Sequence, residues 1–155
     1  MPLIDEGQKA PAFSLPDQSG KTHSLKDYAG KPVVLYFYPK DDTPGCTTEA
    51  CGFRDALPDF SRVKATVLGV SVLDSASKAK FAKKHSLNFP LLADADHAVA
   101  DRYGAWQEKS MYGRKYMGVA RITYLIDTSG KVAKRWDKVI VATHADEVLA
   151  ALRAL

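Results

Sequence analysis

Cysteine, long hydrophobic runs and charge of a single sign are all scarce in this chain, and each scarcity excludes a class of protein. No apolar run approaches the roughly 20 residues of a membrane-spanning helix, and residues 1–6 lack the basic start and apolar stretch of a signal peptide. The net charge of +4 comes from dispersed bases interleaved with acids, too weak a pattern for nucleic-acid binding. We therefore expect a cytoplasmic protein that binds neither membranes nor nucleic acid.

The histidines and cysteines also fail to form a metal-binding pattern. A metal site needs about four ligands at recognisable spacings, and two cysteines and four scattered histidines show none. We assign no catalytic part to the histidines and expect them at the surface or in packing. They are His23, His85, His97 and His144. We expect the lysines of residues 78–84 to lie on a solvated helix face.

The order of the predicted elements favours one α/β domain over residues 1–155. Hydrophobic residues make up 46% of the chain and charged residues 26%, and there is no repeat, low-complexity tract or linker. Residues 13–25 predict a hairpin, followed by strands at 33–38, 66–72, 91–92, 119–127 and 131–136. Helices are predicted at about 43–60, 96–103 and 143–155. A further helix is predicted to begin at a cap formed by Ser75 or Ser77 and to end before residue 88. We interpret residues 106–117 as a loop covering the core, with a hydrophobic lip near a pocket or part of a partner surface as the alternative. Strands that alternate with helices indicate a layered α/β sheet.

Cys46 lies where a buried strand gives way to a helix. Thr43 and Pro44 together form a helix-start signal, with the hydroxyl as N-cap and proline at the first helical position. Cys46 then falls in the first turn, where free N–H groups and the helix dipole favour an anion. The sequence therefore predicts a thiol that ionises readily and acts as a nucleophile.

Cys51 lies five residues further along the same predicted helix. An intact helix would separate the Cα atoms of the two cysteines by about 8.7 Å, whereas a disulfide needs them within about 7 Å. The two thiols can therefore join only if the first turns unwind. This arrangement suits a cycle of oxidation and reduction better than a permanent cross-link. On the residues alone, two small buried hydrophobic cysteines remain an alternative.

The segment around Cys46 resembles the active site of the peroxiredoxins. Pro39-x-x-x-Thr43-x-x-Cys46 matches the pattern of that family, and the continuation through Cys51 to Asp55 is similar to the Q subfamily, the bacterioferritin comigratory protein type. The similarity extends over nearly the whole chain, from Gly7 to the segment Arg121-Ile-Thr-Tyr-Leu-Ile-Asp. It implies a thioredoxin-like fold, with a central mixed sheet flanked by helices and an added N-terminal β-hairpin.

The same resemblance implies a role for each site residue. Cys46 would be the peroxidatic cysteine and Cys51 the resolving one. Thr43 would accept a hydrogen bond from the thiol and contact the peroxide, and Pro39 would shield the pocket from water. Arg121 would hold the thiolate and stabilise charge on the peroxide oxygen. Glu49 is explained by the helix dipole alone.

The implied reaction is reduction of hydrogen peroxide or an alkyl hydroperoxide, followed by reduction of the enzyme by thioredoxin or a similar dithiol. No cofactor or metal is required, and we expect a monomer. Two alternatives share the fold. A dithiol oxidoreductase would need a C-x-x-C pair at this turn, and a redox-sensing or copper-carrying module would need a ligand set; the sequence shows neither.

Overall fold

A five-stranded mixed sheet forms the centre of the molecule. The computed structural model describes residues 1–155. The strands of the central sheet are β3 (Val33–Phe37), β4 (Thr66–Ser71), β5 (Leu91–Ala93), β8 (Ile122–Ile126) and β9 (Val132–Trp136). They lie side by side in the order β5-β4-β3-β8-β9. Strands β3, β4 and β5 are parallel, while β8 runs antiparallel to both β3 and β9.

Helices cover the sheet because both of its faces are apolar. They are α1 (Pro44–Arg62), α2 (Ser75–His85), α3 (Ala98–Arg102) and α4 (His144–Arg153). Alternate residues of β3 enter two separate cores, with Leu35 and Phe37 in one and Val34 and Tyr36 in the other. The second core packs against α1 and α4. A strand buried on both faces reads as a continuous hydrophobic run, which explains why β3 was predictable.

Two further hairpins lie outside the central sheet. Strands β1 (Ser14–Pro16) and β2 (Thr22–Ser24) form the first, and β6 (Trp106–Met111) and β7 (Arg114–Val119) form the second. The first confirms the predicted N-terminal hairpin. The mixed α/β sheet flanked by helices is confirmed as well. None of the helices combines the length and apolarity that crossing a membrane requires.

The second hairpin shows that the predicted loop at residues 106–117 was wrong. Tyr112 and Gly113 both have positive φ angles, of 51° and 77°, as a tight two-residue hairpin turn requires. Much of the hairpin is exposed on both faces, so no alternation of polar and apolar residues indicated strands. The predicted strand at 119–127 is also divided in two. Strand β7 ends at Val119 and β8 begins at Ile122, and Ala120 and Arg121 between them belong to neither strand.

Two predictions for α2 also need correction. Its N-cap is Asp74, whose carboxylate accepts from the Ser77 N–H at 2.9 Å, so neither serine caps the helix. Lys78 does not lie on a solvated face, since its side chain is fully buried and ion-paired with Asp41. The signal was present in the sequence: Lys78 lies three residues before the core residue Phe81, on the same side of the helix.

Candidate active site

The N-terminus of α1 presents Cys46 at the carboxyl end of β3. Thr43 is the N-cap, in an extended conformation, and Pro44 is the first helical residue, as predicted. The Thr43 hydroxyl does not cap the helix, however, and donates instead to the Lys40 carbonyl at 2.9 Å. Cys46 is 2% exposed. Pro39 follows the buried Tyr38, just beyond the end of β3, and is half-buried in the loop that leads to Thr43.

Arg121 reaches Cys46 from the break between β7 and β8. Its Nη2 atom lies 3.3 Å from Cys46 Sγ, and its Nη1 donates to Glu49 Oε1 at 2.7 Å. The structure therefore excludes a solvated surface position for this arginine. Burial acts to lower the pKa of Arg121, but Glu49 and Cys46 outweigh it and raise that pKa above its ordinary value. The guanidinium is thus a fixed positive charge beside the sulfur.

Gly45 makes room for this guanidinium. A Cβ atom at position 45 would lie 3.1 Å from Arg121 Nη2, closer than nearly all real contacts of that kind. A Cβ atom at Gly52, in the same helix, would lie 3.5 Å from Ala145 Cβ, an ordinary contact. Gly45 therefore has a packing reason to lack a side chain, and Gly52 offers a matched control.

We expect Gly45→Ala to slow peroxide reduction by about tenfold, because small displacements at a reacting centre are costly. The measurement is the single-turnover loss of thiol after mixing reduced protein with peroxide. Gly52→Ala should retain the wild-type rate for this step. Equal rates in the two variants would show that the close approach of Arg121 has no part in the reaction.

Glu49 lies one turn beyond Cys46 and is fully buried. Burial raises the pKa of this carboxyl to about 7, although the neighbouring Arg121 opposes the rise. Its second oxygen, Oε2, has no hydrogen-bond partner. The helix dipole is therefore an insufficient explanation for this residue, because its main contact is the arginine that holds Cys46.

His144 lies behind Glu49, at the first position of α4. Its Nε2 atom is 2.8 Å from Thr123 Oγ1 and 3.9 Å from Glu49 Oε2. Burial and the nearby positive charge of Arg121 lower the pKa of His144 to about 4, so the ring is neutral at physiological pH. A buried polar chain thus runs from the sulfur through Arg121 and Glu49 towards the C-terminal helix. No motif or spacing in the sequence indicates that His144 belongs to it.

Cys51 is half-buried further along α1, and both cysteines are free thiols. The helix runs without interruption from Pro44 to Arg62, so the structure shows the form in which the two thiols are held apart. Nowhere do three or more histidine, cysteine, aspartate or glutamate side chains gather in a way that could hold a metal ion.

Comparison with known proteins identifies the family. The model of the AhpC/TSA family matches residues 6–135 of this chain. The chain belongs to the AhpC/TSA family. It is 47% identical to peroxiredoxin Bcp of Bacillus subtilis over 97% of this chain and 96% of the relative. It is 45% identical to peroxiredoxin Bcp of Escherichia coli, over 94% of each chain.

Solved structures of peroxiredoxins agree with this assignment. A structure concerned with the alkyl peroxide reduction activity of the Xanthomonas campestris bacterioferritin comigratory protein superposes with a TM-score of 0.90 at 42% identity. The match covers 97% of this chain and 98% of that one. The resemblance to the Q subfamily and the thioredoxin-like fold are therefore confirmed, and the enzyme is a peroxiredoxin, a thiol peroxidase.

Proposed function

We propose that this peroxiredoxin reduces hydrogen peroxide and alkyl hydroperoxides with Cys46 and resolves the product with Cys51 of the same chain. The observation that supports this most is the 3.3 Å contact between Arg121 Nη2 and Cys46 Sγ at a helix N-terminus. A guanidinium and a helix dipole favour the thiolate together, and the thiolate is the nucleophile.

In the first step the Cys46 thiolate attacks the nearer oxygen of the peroxide. A sulfur–oxygen bond forms and the O–O bond breaks, so sulfur is oxidised to the sulfenic acid state and the peroxide is reduced. The departing alkoxide or hydroxide takes up a proton and leaves as alcohol or water. The Arg121 fork is placed to stabilise the negative charge that develops on oxygen, and Thr43 contacts the peroxide while Pro39 limits the entry of water.

In the second step the Cys51 thiol attacks the Cys46 sulfenic acid. A disulfide forms and one water molecule leaves. Because an intact helix holds the two Cα atoms about 8.7 Å apart, the first turns of α1 unwind for this step. An external dithiol, thioredoxin or a similar reductant, then exchanges with the disulfide and restores both thiols. This cycle would run in a single domain spanning residues 1–155, acting as a monomer in the cytoplasm.

A titration with peroxide tests the proposed function. Reduced protein should lose two thiols for each peroxide consumed and give a monomeric product lighter by two hydrogen atoms. Thioredoxin with its reductase should restore both thiols of the wild-type protein and sustain its turnover of peroxide. The Cys51→Ser variant should not turn over under the same conditions. A disulfide-linked dimer, or undiminished turnover by Cys51→Ser with thioredoxin, would contradict resolution within the chain.

The buried Glu49 predicts a pH dependence of the unwinding step. Its pKa is about 7 in the folded helix and should return to its ordinary value of 4.5 when the helix opens. A carboxyl with a raised pKa stabilises the closed helix below its ordinary pKa, and that stabilisation is lost as the pH rises towards the folded value. Opening of α1 should therefore become easier between pH 4.5 and 7 and level off above.

Amide exchange of the reduced protein across residues 47–52, corrected for intrinsic rates, measures this effect. The free energy of opening should fall by up to about 3 kcal/mol over that range. Glu49→Gln, which has a similar shape and no titration, should give a flat profile. The same slope in both proteins would assign the dependence to another group.

A further inference from the structure

Lys78 is the one fully buried lysine of the chain, and it lies in the first turn of α2. Its Nζ atom donates to Ser71 Oγ at 2.5 Å and lies 3.3 and 3.4 Å from the two carboxylate oxygens of Asp41. The same ammonium group lies 5.3 Å from the centre of the Tyr38 ring. Each partner belongs to the carboxyl end of a sheet strand or to the loop that follows.

The Asp41 carboxylate accepts hydrogen bonds from side chains on two different segments. The Tyr38 hydroxyl donates to Oδ1 at 2.5 Å, and the Ser77 hydroxyl donates to Oδ2 at 2.7 Å, in addition to the contacts with Lys78. Asp41 is only 6% exposed, and none of these polar side chains is among the buried groups without a partner. A buried polar network that is fully satisfied holds its members in one arrangement.

Stability alone is a poor reason for such a network. Burial lowers the pKa of Lys78, an effect that Asp41 opposes. A buried ion pair is often no more stabilising than apolar side chains of similar volume, because both charges must leave water. The network therefore needs a second explanation, and the position of Asp41, five residues before Cys46, supplies it.

Asp41 belongs to the loop at residues 39–43, which carries Thr43 to the start of α1. No backbone N–H of residues 40–43 donates to another backbone group. Asp42 has a φ angle of 54°, and its carboxylate pairs with Lys84 at 3.0 Å and His85 at 3.1 Å. Contacts with α2 therefore set the shape of this loop. Residues at the start of the helix hold Asp41, and residues at its end hold Asp42.

The C-terminal end of α2 and the residues just after it also hold the chain beyond Cys51. Arg54 Nη1 donates to the His85 carbonyl at 2.7 Å, and the Asn88 side chain donates to the Arg54 carbonyl at 3.3 Å. The chain is thus attached to the end of α2 on both sides of the two cysteines. Between Thr43 and Arg54 it makes no hydrogen bond to α2.

We propose that Lys78 is a positioning residue that, through Asp41, keeps residues 39–43 in place while α1 opens and closes. The proposal rests on the unwinding step of the proposed function. Unwinding of α1 is then confined to the segment between Thr43 and Arg54. Thr43 therefore returns to the same position relative to Cys46 after each cycle. Without the anchor, the disulfide form would also release residues 39–43.

The test uses the double variant Asp41→Asn/Lys78→Met, because removing both charges avoids leaving one of them buried and unpaired. Lys83→Met is the control, since Lys83 is exposed on the same helix and forms no ion pair. Backbone order parameters from NMR relaxation are measured in the reduced and disulfide forms of each protein, because the amides of residues 40–43 make no backbone hydrogen bond that could slow their exchange. The single-turnover rate of peroxide reduction is measured beside it.

In wild-type protein and Lys83→Met, oxidation should lower the order parameters only between Thr43 and Arg54. In the double variant the lowered values should extend back through residues 40–43 in the disulfide form alone, and peroxide reduction should slow on the order of tenfold. Equally low values in both redox forms would show a merely structural role, and an unchanged boundary with an unchanged rate would also overturn the proposal. If wild-type protein forms no Cys46–Cys51 disulfide, the proposed function itself fails, and the two failures are distinguishable.

Discussion

Replacing Cys46 by serine is expected to abolish peroxide reduction, because only this thiol has both the helix N-terminus and the Arg121 guanidinium beside it. A serine hydroxyl does not ionise at neutral pH and cannot become a sulfenic acid. The measurement is the loss of thiol during a single turnover of reduced protein with peroxide. Cys46→Ser should show no loss above the rate of a simple thiol.

Cys51→Ser is the matched control for that experiment. It should reduce one peroxide at a rate close to wild type and then stop as a sulfenic acid, which excess peroxide oxidises further to the sulfinic acid. A dimedone-type probe should trap the sulfenic acid at Cys46 in this variant. Equal single-turnover rates for wild type and Cys46→Ser would overturn the assignment of the nucleophile.

Replacing Arg121 by methionine should produce the second largest loss. Methionine has a similar reach but no charge and no donors, so both the thiolate and the charge developing on the peroxide oxygen lose their partner. We expect the rate of peroxide reduction to fall on the order of a hundredfold or more. The fall should exceed the loss of thiolate, which is followed separately by absorbance in the ultraviolet.

Arg121→Lys separates charge from geometry. Lysine keeps the positive charge but loses the planar fork that contacts Cys46 and Glu49 at the same time. This variant should retain much of the thiolate and still reduce peroxide slowly. If thiolate fraction and rate are both unchanged in Arg121→Met, the arginine has no part in the reaction.

Elements that are locally encoded could be predicted from the sequence. Residues 33–38 form a continuous apolar run, and the structure places β3 there, buried on both faces. Thr43 and Pro44 indicated the start of α1 because the residue preferences at a helix start are local, even though the Thr43 hydroxyl does not cap the helix. The position of Cys46 in the first turn follows directly from that start.

Contacts between distant segments could not be predicted in the same way. Glu49, Thr123 and His144 meet only because α1, β8 and α4 pack together. A single glutamate in the first turns of a helix is equally typical of dipole compensation. Arg121 was assigned only through the resemblance to peroxiredoxins, since an arginine at a strand start more often points to solvent.

The two cysteines should react with each other only when the first turns of α1 unwind. Amide exchange measured in the reduced and disulfide forms should therefore become much faster across residues 47–52 after oxidation, the amides that the intact helix protects. Exchange in the five-stranded sheet should not change. A disulfide-bonded form in which the amides from Thr47 through Phe53 stay protected would show that the helix does not unwind, and would leave Cys51 without a resolving role.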